Sequence, residues 1–162
     1  MPVILADTTV LSNFSQVERP NLLRMAFPRL ASPHEVREEL SQGEKLGLVP
    51  SCDWSWLKTI ELTDGEQIQA NELREYLQAG EAACIAVAAS RGGLVLTDDG
   101  TARRVAASLQ VEISGTIGVL VRLCEREILA LEQGDSLLLA MMARGYRSPI
   151  RSLRELAPRP GT

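Results

Sequence analysis

The chain has 162 residues, a length typical of a single domain that can bury a substantial core. Its formal net charge of −4 excludes a general polyanion-binding surface, so any contact with nucleic acid must depend on local placement of Arg and Lys. Three widely spaced cysteines without a CxxC motif exclude a disulfide framework, and no apolar run approaches the roughly 18 residues of a membrane span, so we expect a cytoplasmic protein.

The first part of the chain alternates short apolar runs with helical patterns. In order, it predicts a buried strand at 3–6, a helix containing Val10, Leu11 and Phe14, a short amphipathic helix at 22–27, a strand at 29–31 and a helix at 34–42. Ser32 and Pro33 have the residue types of an N-cap and a first helical position, and Gly43 is expected to end the helix.

The alternation continues to the end of the chain. The predicted elements are a strand at 56–62, a helix behind the capping box of Thr63 and Glu66, a helix at 80–89 that is apolar on every side, a strand at 94–97, a helix containing Ala102 and Val105, an edge strand at 111–113, a helix from 114–116 and a last helix beginning at Asp135 or Ser136. This order predicts a three-layer α/β fold with a mainly parallel sheet.

Acidic residues stand at four separated points of this pattern. Asp7 and the pair at 98–99 each follow a strand, Glu39 flanks the apolar Leu40 of a helix, and Glu81 begins the buried helix. Each has a simpler explanation as a helix cap, a solvated face or a charge favoured by the helix dipole. If they converge, carboxylates about 4 Å apart repel by roughly 4 kcal/mol per pair, and a cation must offset this. Oxygen-only ligands favour Mg²⁺ or Mn²⁺ over zinc.

Five segments of the chain resemble PIN domains of the VapC-type toxin group. They are VILADTTVLSNF at 3–14, SPHEVREEL at 32–40, GEAACIAVA at 80–88, LVLTDDGTARRVA at 94–106 and VEISGTIGVLVR at 111–122. The likeness is to the subgroup with GE in the third motif and DD followed by AR in the fourth. It implies a Rossmann-like five-stranded parallel sheet forming one domain over 1–157, with a frayed tail at 158–162, and a ribonuclease that uses Mg²⁺ or Mn²⁺.

The resemblance also implies a catalytic set. It comprises Asp7, Glu39, Glu81, Asp98 and Asp99, of which Asp7, Glu81 and Asp98 are the expected metal ligands. Glu38 is an alternative to Glu39. Glu81 stands where many members have Asp, and Asp99 is better placed than Asp98 to cap the following helix.

Further expectations concern substrate and partners. Arg103 and Arg104 are candidates to hold the RNA backbone, because guanidinium groups match phosphates, although a solvated helix face explains them equally well. Thr8 and Thr97 are candidates to support ligands or a bound water. The resemblance implies an antitoxin protein that covers the site, and homodimers are common in the family.

Two other kinds of domain fit this pattern of acidic residues less well. A haloacid-dehalogenase-like phosphatase needs a second Asp two residues after the first, where this chain has Thr9. A receiver domain carries its acidic pair early, whereas here the pair comes late. A catalytically inactive PIN-like binding or regulatory module remains open as the alternative.

Overall fold

The computed structural model describes residues 2–156. Its five strands are β1 Val3–Ala6, β2 Ala31–Pro33, β3 Lys58–Ile60, β4 Gly93–Leu96 and β5 Glu112–Ser114. Its helices are α1 Thr8–Gln16, α2 Asn21–Ala26, α3 His34–Lys45, α4 Asp64–Leu73, α5 Ala79–Arg91, α6 Gly100–Ser108, α7 Thr116–Glu125 and α8 Leu131–Ala143, followed by a 3-10 helix at Leu153–Leu156. Within residues 2–156, no helix is long and apolar enough to cross a membrane.

The five strands form one sheet in the order β3-β2-β1-β4-β5, and every pair in it is parallel. This confirms the predicted α/β class, with a sheet that is parallel throughout. Ala6 pairs with Leu96, and Leu96 with Ser114, so the residues that follow these three strands meet at one edge. Open parallel sheets bind ligands outside this carboxyl edge.

Helix α5 forms the centre of the core. Its residues from Ala82 to Ala88 are buried, as predicted for a helix that is apolar on every side, and it contacts β1, β2 and β4 as well as α3, α4 and α6. Elsewhere, α7 packs with α2 and α8. The position of α5 fixes where its first turn meets the sheet edge.

Two predicted boundaries around β2 and α3 were wrong. Ser32 is not a helix cap: it lies buried in β2, where its hydroxyl donates to the Ala6 carbonyl at 2.7 Å, so the strand runs to Pro33. Gly43 does not end α3 either. The helix continues to Lys45, and Gly47 with φ of 72° follows its C-cap, because a glycine readily adopts this left-handed conformation.

The start of α8 was also predicted too late. The helix begins at Leu131, and the Gln133 side chain accepts from the Ala130 backbone N–H at 2.7 Å. Asp135 lies inside the helix and has another role, since its carboxylate accepts from Ser152 Oγ at 2.8 Å and from the Leu153 N–H at 2.6 Å. Asp135 therefore fastens the 3-10 helix to α8. The local sequence pattern indicated only a helix start at Asp135 or Ser136 and did not reveal these contacts.

Glu66 is a buried carboxylate that links α4 to α5 through an ion pair with the partly exposed Arg91. It completes the predicted capping box with Thr63, and its carboxylate accepts from Arg91 Nη2 at 2.8 Å and Nε at 2.9 Å. The Arg91 guanidinium holds the pKa of Glu66 at about 2, well below its ordinary value. Glu66 is only 2% exposed, whereas 34% of the Arg91 side chain is exposed, so solvent screens the pair in part.

We expect Glu66→Gln to lower the free energy of unfolding at pH 7 by about 2–3 kcal/mol, because Arg91 loses its buried charged partner. The folded pKa lies below the unfolded value, so the stabilisation is present above about pH 4.5 and declines as pH falls toward 2. Urea unfolding of both proteins at pH 7 and pH 3 measures this difference. Equal stabilities at pH 7 would contradict the assignment.

Candidate active site

Four carboxylates converge at the carboxyl edge of the sheet. Asp7 follows β1, Glu39 projects from α3, Glu81 lies in the first turn of α5, and Asp99 caps α6. They line one cavity of about 530 Å³, which Asp98 also borders. The fold therefore brings together the acidic residues that the sequence pattern indicated as one site.

Asp7 is the most deeply buried of these groups, at 1% exposure. It is the N-cap of α1, where its carboxylate accepts from the Thr8 backbone N–H. It also accepts from Thr97 Oγ1 at 2.7 Å and from Thr9 Oγ1 at 3.3 Å. Burial nevertheless raises the pKa of Asp7 to about 6, and the nearby charge of Glu39 adds to this rise.

Two threonine hydroxyls connect Asp7 to the loop after β4. Thr97 Oγ1 accepts from the Asp99 backbone N–H at 3.2 Å, and Thr9 Oγ1 accepts from the Asp98 backbone N–H at 3.0 Å. Since both hydroxyls donate onward to Asp7, the position of one buried carboxylate fixes the backbone of the acidic pair. The sequence analysis did not predict a role for Thr9 in the site.

The structure separates Glu39 from Glu38. Glu39 accepts from Thr8 Oγ1 at 2.7 Å and from the Gly80 backbone N–H at 2.8 Å. A Cβ at position 80 would lie 2.9 Å from Glu39 Oε1, so the glycine leaves room for the carboxylate. Glu38 is exposed and contacts His34 at 2.9 Å on the outer face of α3. Only Glu39 reaches the cavity.

Glu81 has the most strongly perturbed pKa of the cluster. Burial is the largest cause, and the charge of Asp7, a hydrogen bond with Asp99 and the charges of Asp99 and Glu39 add to it, raising the pKa of Glu81 to about 8. The side chain is therefore mostly protonated at pH 7 while the cluster holds no cation. Bringing the carboxylates together therefore costs free energy, because their negative charges repel one another.

Asp98 and Asp99 both hold helix termini. Asp99 caps α6 by accepting from the Ala102 N–H at 2.8 Å, which confirms its predicted capping role. Asp98 accepts from the Thr116 N–H at 2.8 Å and from Asn13 Nδ2 at 3.0 Å, and so fastens the start of α7. A simple division into one ligand and one cap does not describe the pair, because Asp99 also faces Glu81.

The remaining predicted residues occupy distinct positions. Thr8 and Thr97 hold the carboxylates of Glu39 and Asp7. Arg103 Nη2 donates to the Thr97 carbonyl at 3.3 Å beside a second cavity, whereas Arg104 Nη2 donates to Thr101 Oγ1 at 3.2 Å on the exposed face.

Sequence reasoning missed several polar residues of the site. They are Thr9, Asn13, Thr116 and Tyr146. Thr9 and Asn13 stand four residues apart, so they share one face of α1, and this spacing was the available signal. No local pattern indicated Tyr146.

A family model for DUF3368, described as a PIN domain, matches residues 3–159. The chain is a PIN domain. The crystal structure of PAE2754 from Pyrobaculum aerophilum is similar in fold, with a TM-score of 0.55 and 18% sequence identity over 76% of this chain and 98% of that chain. A comparison with curated proteins finds no significant match. PIN domains are generally nucleases and usually bind divalent metals.

The carboxylate oxygens in the cavity of this PIN domain are the type of ligand that a divalent cation such as Mg²⁺ prefers. Among residues 2–156, no three His, Cys, Asp or Glu side chains are already close enough together to hold one ion. Mg²⁺ needs fewer, because it keeps several waters and is bound through one or two carboxylates. The ionised forms of Asp7 and Glu81 are disfavoured by burial and by their neighbours, which is the condition that a cation among these oxygens relieves.

We expect Asp7→Asn to stabilise this PIN domain in the presence of a chelator at pH 8. The folded pKa of Asp7 lies about two units above the unfolded value, so its contribution to stability is present below about pH 4 and is lost as pH rises through 6. The gain at pH 8 should be about 1–3 kcal/mol and should vanish near pH 4. Denaturant unfolding at the two pH values measures it, and destabilisation at pH 8 would contradict the account.

Proposed function

We propose that this PIN domain is a ribonuclease that uses Mg²⁺ or Mn²⁺ to cleave RNA phosphodiester bonds. The observation that supports this is the convergence of Asp7, Glu39, Glu81 and Asp99 on one open cavity, with the pKa values of Asp7 and Glu81 both raised. Such a set of oxygen donors suits metal-assisted hydrolysis.

The chain's own residues have separate roles in this reaction. A bound divalent cation supplies a more acidic water and neutralises charge on the scissile phosphate. Thr97 and Thr9 hold the Asp7 carboxylate in one orientation, and Thr8 with the Gly80 N–H holds Glu39. Glu81 and Asp99 share a hydrogen bond, and the proton that the raised pKa of Glu81 retains in the metal-free cluster is one that a cation must displace on binding.

We further propose that the protein is the VapC-type toxin of a toxin–antitoxin pair. A groove of about 820 Å³ adjoins the acidic cavity along α3, and Thr8 and Glu39 line both. Leu46 and Leu48 are 71% and 68% exposed at its border, which suits an antitoxin segment that covers the site. Ile68 and Tyr76, both exposed near α4, suit a homodimer contact. Co-expression with the product of an adjacent gene tests the pairing, and failure to form a complex would contradict it.

Asp7→Asn should abolish Mn²⁺-dependent cleavage of single-stranded RNA, because the buried carboxylate can no longer carry a negative charge toward the cation. Glu39→Gln should reduce the rate by roughly 10–100-fold, the usual effect of altering groups that orient metal ligands. Glu38→Gln is the matched control on the adjacent residue and should cleave at the rate of the unsubstituted protein. Gel analysis of labelled RNA with each variant measures these rates.

The same assay decides between the nuclease and a binding module. Cleavage that survives Asp7→Asn would refute the site. If the unsubstituted protein cleaves no RNA with either metal, the inactive regulatory module becomes the better account. Equal losses in Glu38→Gln and Glu39→Gln would refute the assignment of the second carboxylate.

Mn²⁺ should bind more tightly as pH rises from 6 to 8. Glu81 and Asp7 have raised pKa values of about 8 and about 6, so binding must displace protons in this range, and higher pH removes that cost. Calorimetry in buffers of different ionisation enthalpy measures the protons released. Binding without proton release at pH 7 would contradict a site formed by these carboxylates.

A further inference from the structure

A second cavity, of about 600 Å³, lies next to the acidic one. Asp98, Tyr146 and Arg147 line both, so the two cavities adjoin on this side of the molecule. The walls of the second cavity are mixed: Ile113, Ile117, Ile150 and Leu156 form an apolar part, and charged side chains form the rest. Its volume lies within the range of small-ligand sites, roughly 300–1,000 Å³. We refer to it as the Tyr146 cavity.

Two arginines give the Tyr146 cavity a positive rim. Arg103 and Arg147 both line it, and both are exposed. A Cβ at position 115 would lie 2.5 Å from Arg103 Nη2, so Gly115 lets this guanidinium sit against the end of the sheet. The ion pairs found within residues 2–156 involve neither arginine. The rim therefore complements the acidic cavity, which by itself repels a phosphate.

Tyr146 stands between the two cavities in a fixed position. Gly145 has a φ of 111°, and this turn brings the Tyr146 N–H to the Met141 carbonyl at 3.0 Å. Burial, followed by the charge of Asp98, raises the pKa of the Tyr146 hydroxyl. The half-buried ring lines both cavities, so an aromatic side chain stands at their border.

We propose that the Tyr146 cavity is a nucleotide subsite for single-stranded RNA, in which a base stacks on Tyr146 while Arg103 and Arg147 contact the flanking phosphates. This inference rests on the proposed function, since it places the neighbouring phosphodiester at the acidic cavity. Stacking on an aromatic ring accepts any base, and guanidinium groups match phosphate oxygens. A base inside a duplex is already stacked and cannot enter, so the subsite selects unpaired RNA.

Binding of a short fluorescein-labelled single-stranded RNA of mixed sequence tests the subsite. The measurement is fluorescence anisotropy in the Asp7→Asn background, which prevents turnover. Tyr146→Leu should weaken binding roughly tenfold, whereas Tyr146→Phe keeps the ring and should bind like its parent. Arg147→Ala should weaken binding and reduce the salt dependence by about one phosphate contact. Arg126→Ala, at the far end of α7, removes an equal charge and should change neither.

Several results would overturn the subsite. Unchanged binding by Tyr146→Leu refutes it, and so does a loss in Tyr146→Phe as large as in Tyr146→Leu, because the hydroxyl and not the ring would then matter. An abasic RNA bound as tightly as the intact strand excludes base stacking. Thermal unfolding identifies any variant that fails to fold, and Arg147→Ala, on an exposed side chain, still tests the rim.

The nucleotide subsite and the proposed nuclease activity can be refuted separately. RNA cleavage by the unsubstituted protein with Mn²⁺, combined with no effect of Tyr146→Leu on binding, refutes the subsite alone. RNA binding that depends on Tyr146, combined with no cleavage under either metal, refutes the nuclease and supports the subsite as part of a binding module.

Discussion

The burial of one carboxylate, that of Asp7, is the constraint on which the rest of the site depends. Removing it from water is costly, and the protein offsets this with the Thr8 N–H and the hydroxyls of Thr9 and Thr97. The two hydroxyls then accept from the backbone of the acidic pair, so β1, α1 and the loop after β4 are aligned by a single group.

The same arrangement sets stability against function. Asp7 and Glu81 would ionise more easily outside this cluster, because burial raises the pKa of both and the charges of neighbouring carboxylates add to the rise. The fold holds them together through backbone elements with other support: the buried helix α5 carries Glu81, and the capping of α6 fixes Asp99. A cation bound in the acidic cavity would offset the negative charges there and so remove this cost.

Local sequence pattern predicted the sheet and most of the acidic set, and failed where long-range contacts decide. The runs at 3–6 and 94–97 are apolar without interruption, which is typical of central parallel strands, and both strands form within a residue of expectation. Glu38 and Glu39 could not be separated by periodicity, because the choice depends on Thr8 and Gly80, far away in the chain.

The roles of Asp98, Asp99 and Tyr146 also depend on contacts between distant parts of the chain, which local sequence pattern cannot reveal. The contacts of Asp98 come from Asn13 and Thr116, so its second capping role appears only in three dimensions. Tyr146 follows a helix end and carries no motif, and only the packing of that segment places it beside the acidic cavity. The predicted tail at 158–162 lies outside the described residues.

Anomalous scattering of Mn²⁺ in crystals grown at pH 8 tests most directly whether these carboxylates form a divalent-metal site. We expect a peak in the acidic cavity within about 2.6 Å of an Asp7 carboxylate oxygen, with Glu81 or Asp99 on its opposite side. An ordered cavity without a peak at saturating Mn²⁺, or a peak bound only elsewhere on the protein, would contradict it.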